Sequence, residues 1–209
     1  MIIKNGFVFQ ENGTFEKKDL YVENGKIVSS IEEVTDTAEI DAQGMKVLPG
    51  AVDVHSHGAF GHDFSDADVE GLKTILRYER SHGVTSYCPT SMTLPKEQLL
   101  DIFATAVKAG DDKDQARIVG INMEGPFIDP DKKGAHVERH IRKPDIGFFR
   151  ECNEKSGRLI KLVTLAPNME GADEFIEELK DEVKISIGHT MAGYDTALAA
   201  MKKGANHVT

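Results

Sequence analysis

Two histidines, His55 and His57, stand one residue apart at the end of the β-branched run VDVHSHGAFG. In a strand, alternation turns both imidazoles, and Asp53 before them, to one face. Neutral imidazole is the commonest metal ligand, yet His-x-His alone describes many ordinary surface pairs. Two further strand-like runs end in groups that are costly to bury alone. ARIVGINME closes on Glu124 and VKISIGH on His189; a carboxylate ending an apolar strand needs a cation or a metal beside it. His55, His57, Glu124 and His189 would meet as metal ligands if these strands run parallel and open at one mouth. The alternative for Glu124 is an ion pair with Lys132 or Lys133 in the loop that follows.

Other candidates carry less. His62 in the GHDF loop reads as a capping or exposed residue. His82 precedes the helix-ending Gly83, where a cation suits the helix dipole, and His140 lies in a charged loop. Cys88 and Cys152 are the two cysteines and form neither a disulfide framework nor a CxxC knuckle, which makes a reducing cytoplasm the default.

The elements that position these residues follow from the pattern. Residues 1–49 alternate apolar and polar side chains between Asn-Gly and Gln-Gly turns and read as a small β domain, one face of a sandwich. Asn24-Gly25 suits a two-residue hairpin turn. From residue 50 to 209 strands and helices alternate strictly: KVLPGAVDVH, VTSYCPT, ARIVGINME, RLIKLVTLAP, VKISIGH and ANHVT as strands, with five amphipathic helices between them. Near-continuous apolar strands separated by helices mean a parallel sheet covered by helices. Six strands and five helices make an incomplete (β/α)8 barrel, a metal-dependent TIM-type architecture. In such barrels chemistry sits at the C-terminal strand ends, where these candidates lie. An open doubly wound sheet is the alternative, but no GxGxxG or GxxxxGK[ST] follows any strand.

The 209 residues are 40% hydrophobic and 29% charged, with a formal net charge of −10. That balance disfavours nucleic-acid or anionic-membrane partners, which need a basic face. No run is apolar enough to span a bilayer, and the N-terminus lacks the pattern of a signal peptide.

The segments LPGAVDVHSHGAFGHDFSDA, NMEGPFIDPDKKGAHVERH and SIGHTMAGYDTALAAMKKGANHVT resemble the N-acetylglucosamine-6-phosphate deacetylases of the amidohydrolase superfamily, over nearly the whole chain. PG-x-x-D-x-H-x-H marks the superfamily; EGPF followed by KKGAH and then GHT-x-A-x-Y narrows it to this family. The resemblance implies that Glu124 and His189 hold the principal metal and that His55 and His57 hold a second, with Glu124 bridging. The cofactor is then one or two divalent ions, zinc or iron. Ala135 and His136 match positions that contact the amino sugar, His136 near the acetyl carbonyl. The implied substrate is a phosphorylated amino sugar, N-acetylglucosamine 6-phosphate, hydrolysed to glucosamine 6-phosphate and acetate by an enzyme whose complete form is a homo-oligomer, a dimer. Met191 departs from the Asp or Asn often found after GHT. The family's general acid/base Asp, a further metal ligand directly after HVT, and the phosphate contacts are all expected beyond Thr209, so the chain alone is expected to be inactive. Strand alternation then turns His207 away from the mouth.

Two rivals stand beside this reading. Dihydroorotase-like or deaminating amidohydrolases with a carboxylated lysine need it at the end of strand four, where this chain has Leu-Ala-Pro and Lys161 comes too early. The other is a non-catalytic fragment that binds metal or a partner. The insertion GPFIDPDKKGAHVERHIRKPD is longer than an ordinary βα loop of about two to six residues and is expected to fold over the mouth and carry His136 to the metal.

Overall fold

A computed structural model describes residues 1–209, and the chain divides into two compact units, Met1–Gly50 and Ala51–Thr209. The first is one mixed five-stranded sheet. β1 (Ile2–Phe9) pairs antiparallel with β2 (Phe15–Glu23) and parallel with β4 (Glu39–Asp41) and β5 (Lys46–Val47), while β3 (Lys26–Val28) extends the other side of β2. Asn24 and Gly25 both take positive φ, 51° and 73°, between Glu23 and Lys26 of the β2–β3 hairpin. Two left-handed central residues match the twist of the flanking strands, so the Asn-Gly pair sets this register.

The second unit is a curled parallel sheet of six strands. Its order is β6 (Ala51–Ser56), β9 (Val84–Ser91), β11 (Ile121–Glu124), β12 (Ile160–Leu165), β13 (Lys184–Ile187) and β14 (His207–Val208). A short antiparallel pair, β7 (Gly58–Ala59) and β8 (His62–Asp63), follows β6. Helices α1 (Val69–Ser81), α2 (Lys96–Ala109), α3 (Ile146–Lys155), α4 (Ala172–Leu179) and α5 (Tyr194–Lys203) fall between the strands. None is long and apolar enough to cross a membrane. Their ends follow the local chemistry. Asp68 accepts the Glu70 N–H to cap α1, and Asp145 accepts the Phe148 N–H to cap α3.

The run ARIVGINME, read as one strand, is broken. Its first part, β10 (Arg117–Ile118), pairs with β9, and the chain then steps across at Val119–Gly120 before β11 begins. Gly120 allows the step, since a Cβ there would lie 2.7 Å from Lys161 Cγ.

The two faces of the six-stranded sheet differ in kind. Met123, Val163, Leu165, Ile185 and Ile187 point to the helices and join Leu72, Ile75, Ile102, Phe103, Phe149 and Phe175 in one apolar core. Phe127 packs tilted and Phe149 edge-on against Phe175 there, with centroids 5.1 and 5.7 Å away. Between them in sequence, Asn122, Glu124, Thr164 and Ser186 point to the concave side, in register across neighbouring strands. Thr90 pairs with Asn122 on the same side.

Candidate metal centre

Glu124 ends β11 on the concave face and is almost fully buried, yet four imidazoles surround its carboxylate. Oε1 lies 3.3 Å from His55 Nε2 and 3.0 Å from His189 Nε2. Oε2 lies 3.0 Å from His57 Nε2 and 3.5 Å from His136 Nε2. Two groups result that share Glu124, His55–His57–Glu124 and Glu124–His136–His189, in each of which the donor atoms lie within 4.8 Å of one another. No lysine reaches Glu124, so the ion pair with Lys132 or Lys133 does not form.

Hydrogen bonds on the far side of each ring fix where the protons sit. His189 Nδ1 is 2.8 Å from the Lys132 carbonyl and His57 Nδ1 is 3.1 Å from the Thr90 carbonyl. A carbonyl only accepts, so in both rings Nδ1 carries the N–H and a neutral ring turns the Nε2 lone pair towards Glu124. His136 is the reverse. Its Nδ1 accepts the Thr93 N–H at 3.0 Å, which leaves the N–H on Nε2, aimed into the site. These assignments follow from the hydrogen-bond network. They separate rings set to bind a cation from a ring set to donate.

The electrostatics describe the other way to satisfy Glu124, rings that carry a proton on Nε2 as well and donate it to the carboxylate. Burial works to raise the Glu124 pKa, but hydrogen bonds from His136, His55 and His57 outweigh it and hold the carboxyl well below the usual range. The His57 pKa is raised, chiefly by its hydrogen bond to Glu124, against burial. A buried carboxylate facing imidazole lone pairs at about 3 Å is repulsive unless a proton or a metal ion lies between them. The donor set of imidazole nitrogens and one carboxylate suits a divalent transition metal. His55, His57, Glu124 and His189 therefore fit such an ion chemically.

The chain path that brings these groups together is partly irregular. The register of β6 against β9 shifts between Asp53 and Ser56, and Asp53 accepts the His55 N–H at 2.8 Å. The insertion after Glu124 runs back over the strand ends. Its Asp129 N–H donates to the His189 carbonyl, and Arg142 N–H to the Pro126 carbonyl. His136, buried within it, lies beside His189 with ring centroids 4.8 Å apart. Ala135 before it is exposed.

His207 differs from the expectation. It pairs in register with Ser186 and turns to the concave side, its Nδ1 3.0 Å from Ser186 Oγ, because Ser186 and Glu124 lie on one face through Thr164. It touches Ser186 rather than Glu124. His62 packs against Gly71 of α1, and His82 against Tyr78 of the same helix. Sequence reading missed the groups that orient the rings: Thr90, Thr93, Lys132, and an Asp129–Asn168–Thr190 network behind His189. Asn168 gives one signal, a polar residue just after the apolar strand that ends in Leu-Ala-Pro.

Comparison with known proteins places this geometry. No family model matches the chain. An N-acetylglucosamine-6-phosphate deacetylase from Bacillus subtilis is 34% identical over 218 residues, covering 100% of this chain and 55% of that protein. The Homo sapiens protein of the same name is 32% identical over 208 residues, 94% of this chain and 51% of its own length. The crystal structure of N-acetyl-D-glucosamine-6-phosphate deacetylase from Mycobacterium smegmatis superposes with a TM-score of 0.83 at 27% identity, over 100% of this chain and 55% of that one. A mutant of that enzyme has been solved in complex with N-acetyl-D-glucosamine-6-phosphate. The chain spans about half the length of the curated relatives it matches. In sequence and in fold alike, it belongs with the N-acetylglucosamine-6-phosphate deacetylases.

Proposed function

We propose that this chain supplies the metal-binding and acetamide-facing part of a hydrolase that cleaves N-acetylglucosamine 6-phosphate to glucosamine 6-phosphate and acetate. The observation that carries the reading is the opposed proton placement around Glu124: lone pairs of His57 and His189 towards the carboxylate, the N–H of His136 into the same space. Glu124, His189, His55 and His57 hold one or two divalent ions, Glu124 shared between them. Zinc or iron suits imidazole and carboxylate donors. When bound, such an ion polarises a carbonyl and acidifies water.

The chain's own residues do the rest. His136 Nε2–H donates to the acetamide oxygen, where negative charge grows as water adds to the carbonyl carbon. Its placement is set in advance by the Thr93 N–H on the other ring nitrogen, so little reorganisation is required at the moment of reaction. The insertion bearing Ala135 and His136 covers the acetyl end of the sugar. The amide C–N bond then breaks, acetate keeps the water oxygen, and the leaving amine takes up a proton. The group that moves this proton is assigned to the part of the relatives that this chain does not span, as are the phosphate contacts. The complete enzyme is read as a dimer in a reducing, cytoplasmic compartment.

The test is a chimera in which residues 1–209 replace the matching segment of the Bacillus subtilis relative. Acetate release from N-acetylglucosamine 6-phosphate, abolished by a chelator, is the expected result; a folded, metal-loaded chimera that releases none refutes the reading. In the active chimera His136→Asn is expected to lower turnover by about 10² to 10³, the usual cost of a lost oxyanion donor, with metal content retained. Unchanged turnover would remove His136 from the reaction.

A further inference from the structure

We infer that Asp129, Asn168 and Thr190 are positioning residues, a closed ring of hydrogen bonds that holds His189 in an unfavoured backbone conformation and aims its Nε2 at Glu124. His189 is not a glycine, yet its φ is 48°, in the left-handed region that costs an L side chain steric strain. Such a residue persists where its surroundings over-determine it. Here the surroundings come from three strand ends. From the insertion after β11, the Asp129 N–H donates to the His189 carbonyl at 3.0 Å. The next residue, Thr190, donates its hydroxyl to Asn168 Oδ1, after β12. Asn168 Nδ2 in turn donates to Asp129 Oδ2. The ring closes through the His189–Thr190 peptide.

The same aspartate sets the far side of the imidazole. Asp129 Oδ1 accepts the Asp131 N–H at 2.9 Å and its carbonyl accepts the Lys132 N–H at 3.0 Å. That turn presents the Lys132 carbonyl to His189 Nδ1 at 2.8 Å. Backbone and ring of His189 are thus both tied to Asp129, which is buried although it touches no group of the Glu124 cluster other than His189. Asn168 fits its place by having both a donor and an acceptor. An aspartate there would set two carboxylates against each other, and an alanine would open the ring.

The inference rests on the metal reading for its consequence, since groups that orient a ligand typically contribute 10- to 100-fold to metal affinity. It also stands on a property of the metal-free chain, the fixed Nδ1–H of His189. The experiment is cobalt(II) titration of the 209-residue chain, followed by visible absorption, with proton NMR of the His189 Nδ1–H in the metal-free protein. Asn168→Asp and the milder Thr190→Val are expected to weaken cobalt binding 10- to 100-fold and to lose the slowly exchanging Nδ1–H signal, while the melting curve keeps its cooperativity. The double variant Asp129→Asn with Asn168→Asp restores donor and acceptor in exchanged places and is expected to recover both readouts. Full affinity and a retained Nδ1–H in Asn168→Asp and Thr190→Val would overturn the inference. So would a failure of the double variant to recover either readout while it remains folded. If the unaltered chain binds no cobalt, the metal reading fails by itself, and the Nδ1–H comparison alone then decides the positioning role.

Discussion

The convex and concave faces of the six-stranded sheet are built from the same strands, residue by residue in alternation, and they do opposite work. Val163 faces the helices and Thr164, its neighbour, faces the concave side; Met123 and Glu124 divide in the same way. The convex face spends its residues on dense apolar packing, which is indifferent to charge and intolerant of lost volume. The concave face gathers Thr90, Asn122, Glu124, Thr164 and Ser186, so its polar groups depend on hydrogen bonds or a bound ion for their satisfaction. Asn122 Oδ1 has no protein partner there. Stability and chemistry are therefore separable by a one-residue step along a strand.

The largest expected effect separates them at Glu124. Glu124→Gln keeps the shape and removes the shared anion, so metal bound per chain should fall to near zero while the metal-free melting temperature changes by no more than a few degrees. Elemental analysis and a melt in chelator check both; retained metal would take Glu124 out of the site. On the convex side Phe175→Ala should cost about 3–5 kcal/mol of unfolding free energy, measured in urea, with cobalt affinity unchanged in the fraction that remains folded. A closer comparison uses neighbours. Val163→Ala should cost about 2 kcal/mol. Thr164→Val, which gives up only a long 3.3 Å contact to the Thr209 hydroxyl, should cost less than about 1 kcal/mol. Equal losses at the two positions would end the distinction between the faces.

The smallest effect is at the thiols. Burial pushes Cys88, on the concave side, up to about 11 and Cys152, on the buried side of α3, up to about 12, from ordinary values near 9. A thiol raised on folding contributes stability that is fully present below the unfolded value and is lost as pH rises through the folded one. Stability should hold between pH 7 and about 8.5 and decline above pH 9. At pH 8 a disulfide reagent should leave both thiols unmodified until urea is added, and under partial opening Cys88 should react before Cys152. Fast reaction of Cys152 in the native chain would contradict its burial.

Much of the site was legible because strand ends are legible. His55 and His57 are two apart, and Glu124 and His189 each close an apolar run, so parallel strands bring them to one mouth. His136 was legible through its motif and the length of its loop. The five helices fall where their apolar spacing and glycine stops put them. What did not show is everything set by the return path of a loop. The proton placement on three imidazoles depends on Thr90, Lys132 and Thr93, whose contributions are backbone groups that every residue type carries. The left-handed His189 and the break at Val119–Gly120 are local departures from regular geometry that alternation, which assumes a regular strand, cannot contain. His207 turned inward because register across β13 placed it there, and register is a property of the sheet as a whole.

The curled sheet also has two margins. Within its unit β6 bonds on one side to β9, and β14 on one side to β13, so each leaves a row of peptide groups without a strand beside it. Val52, Val54 and Val208 stand exposed along these rows. A closed barrel has no such rows, and an open one presents them as templates for another chain. Colloidal behaviour then becomes a function of dilution: scattering intensity per unit mass should climb with protein concentration, and lysine at position 52 or 208 should flatten that climb without disturbing the cluster at Glu124.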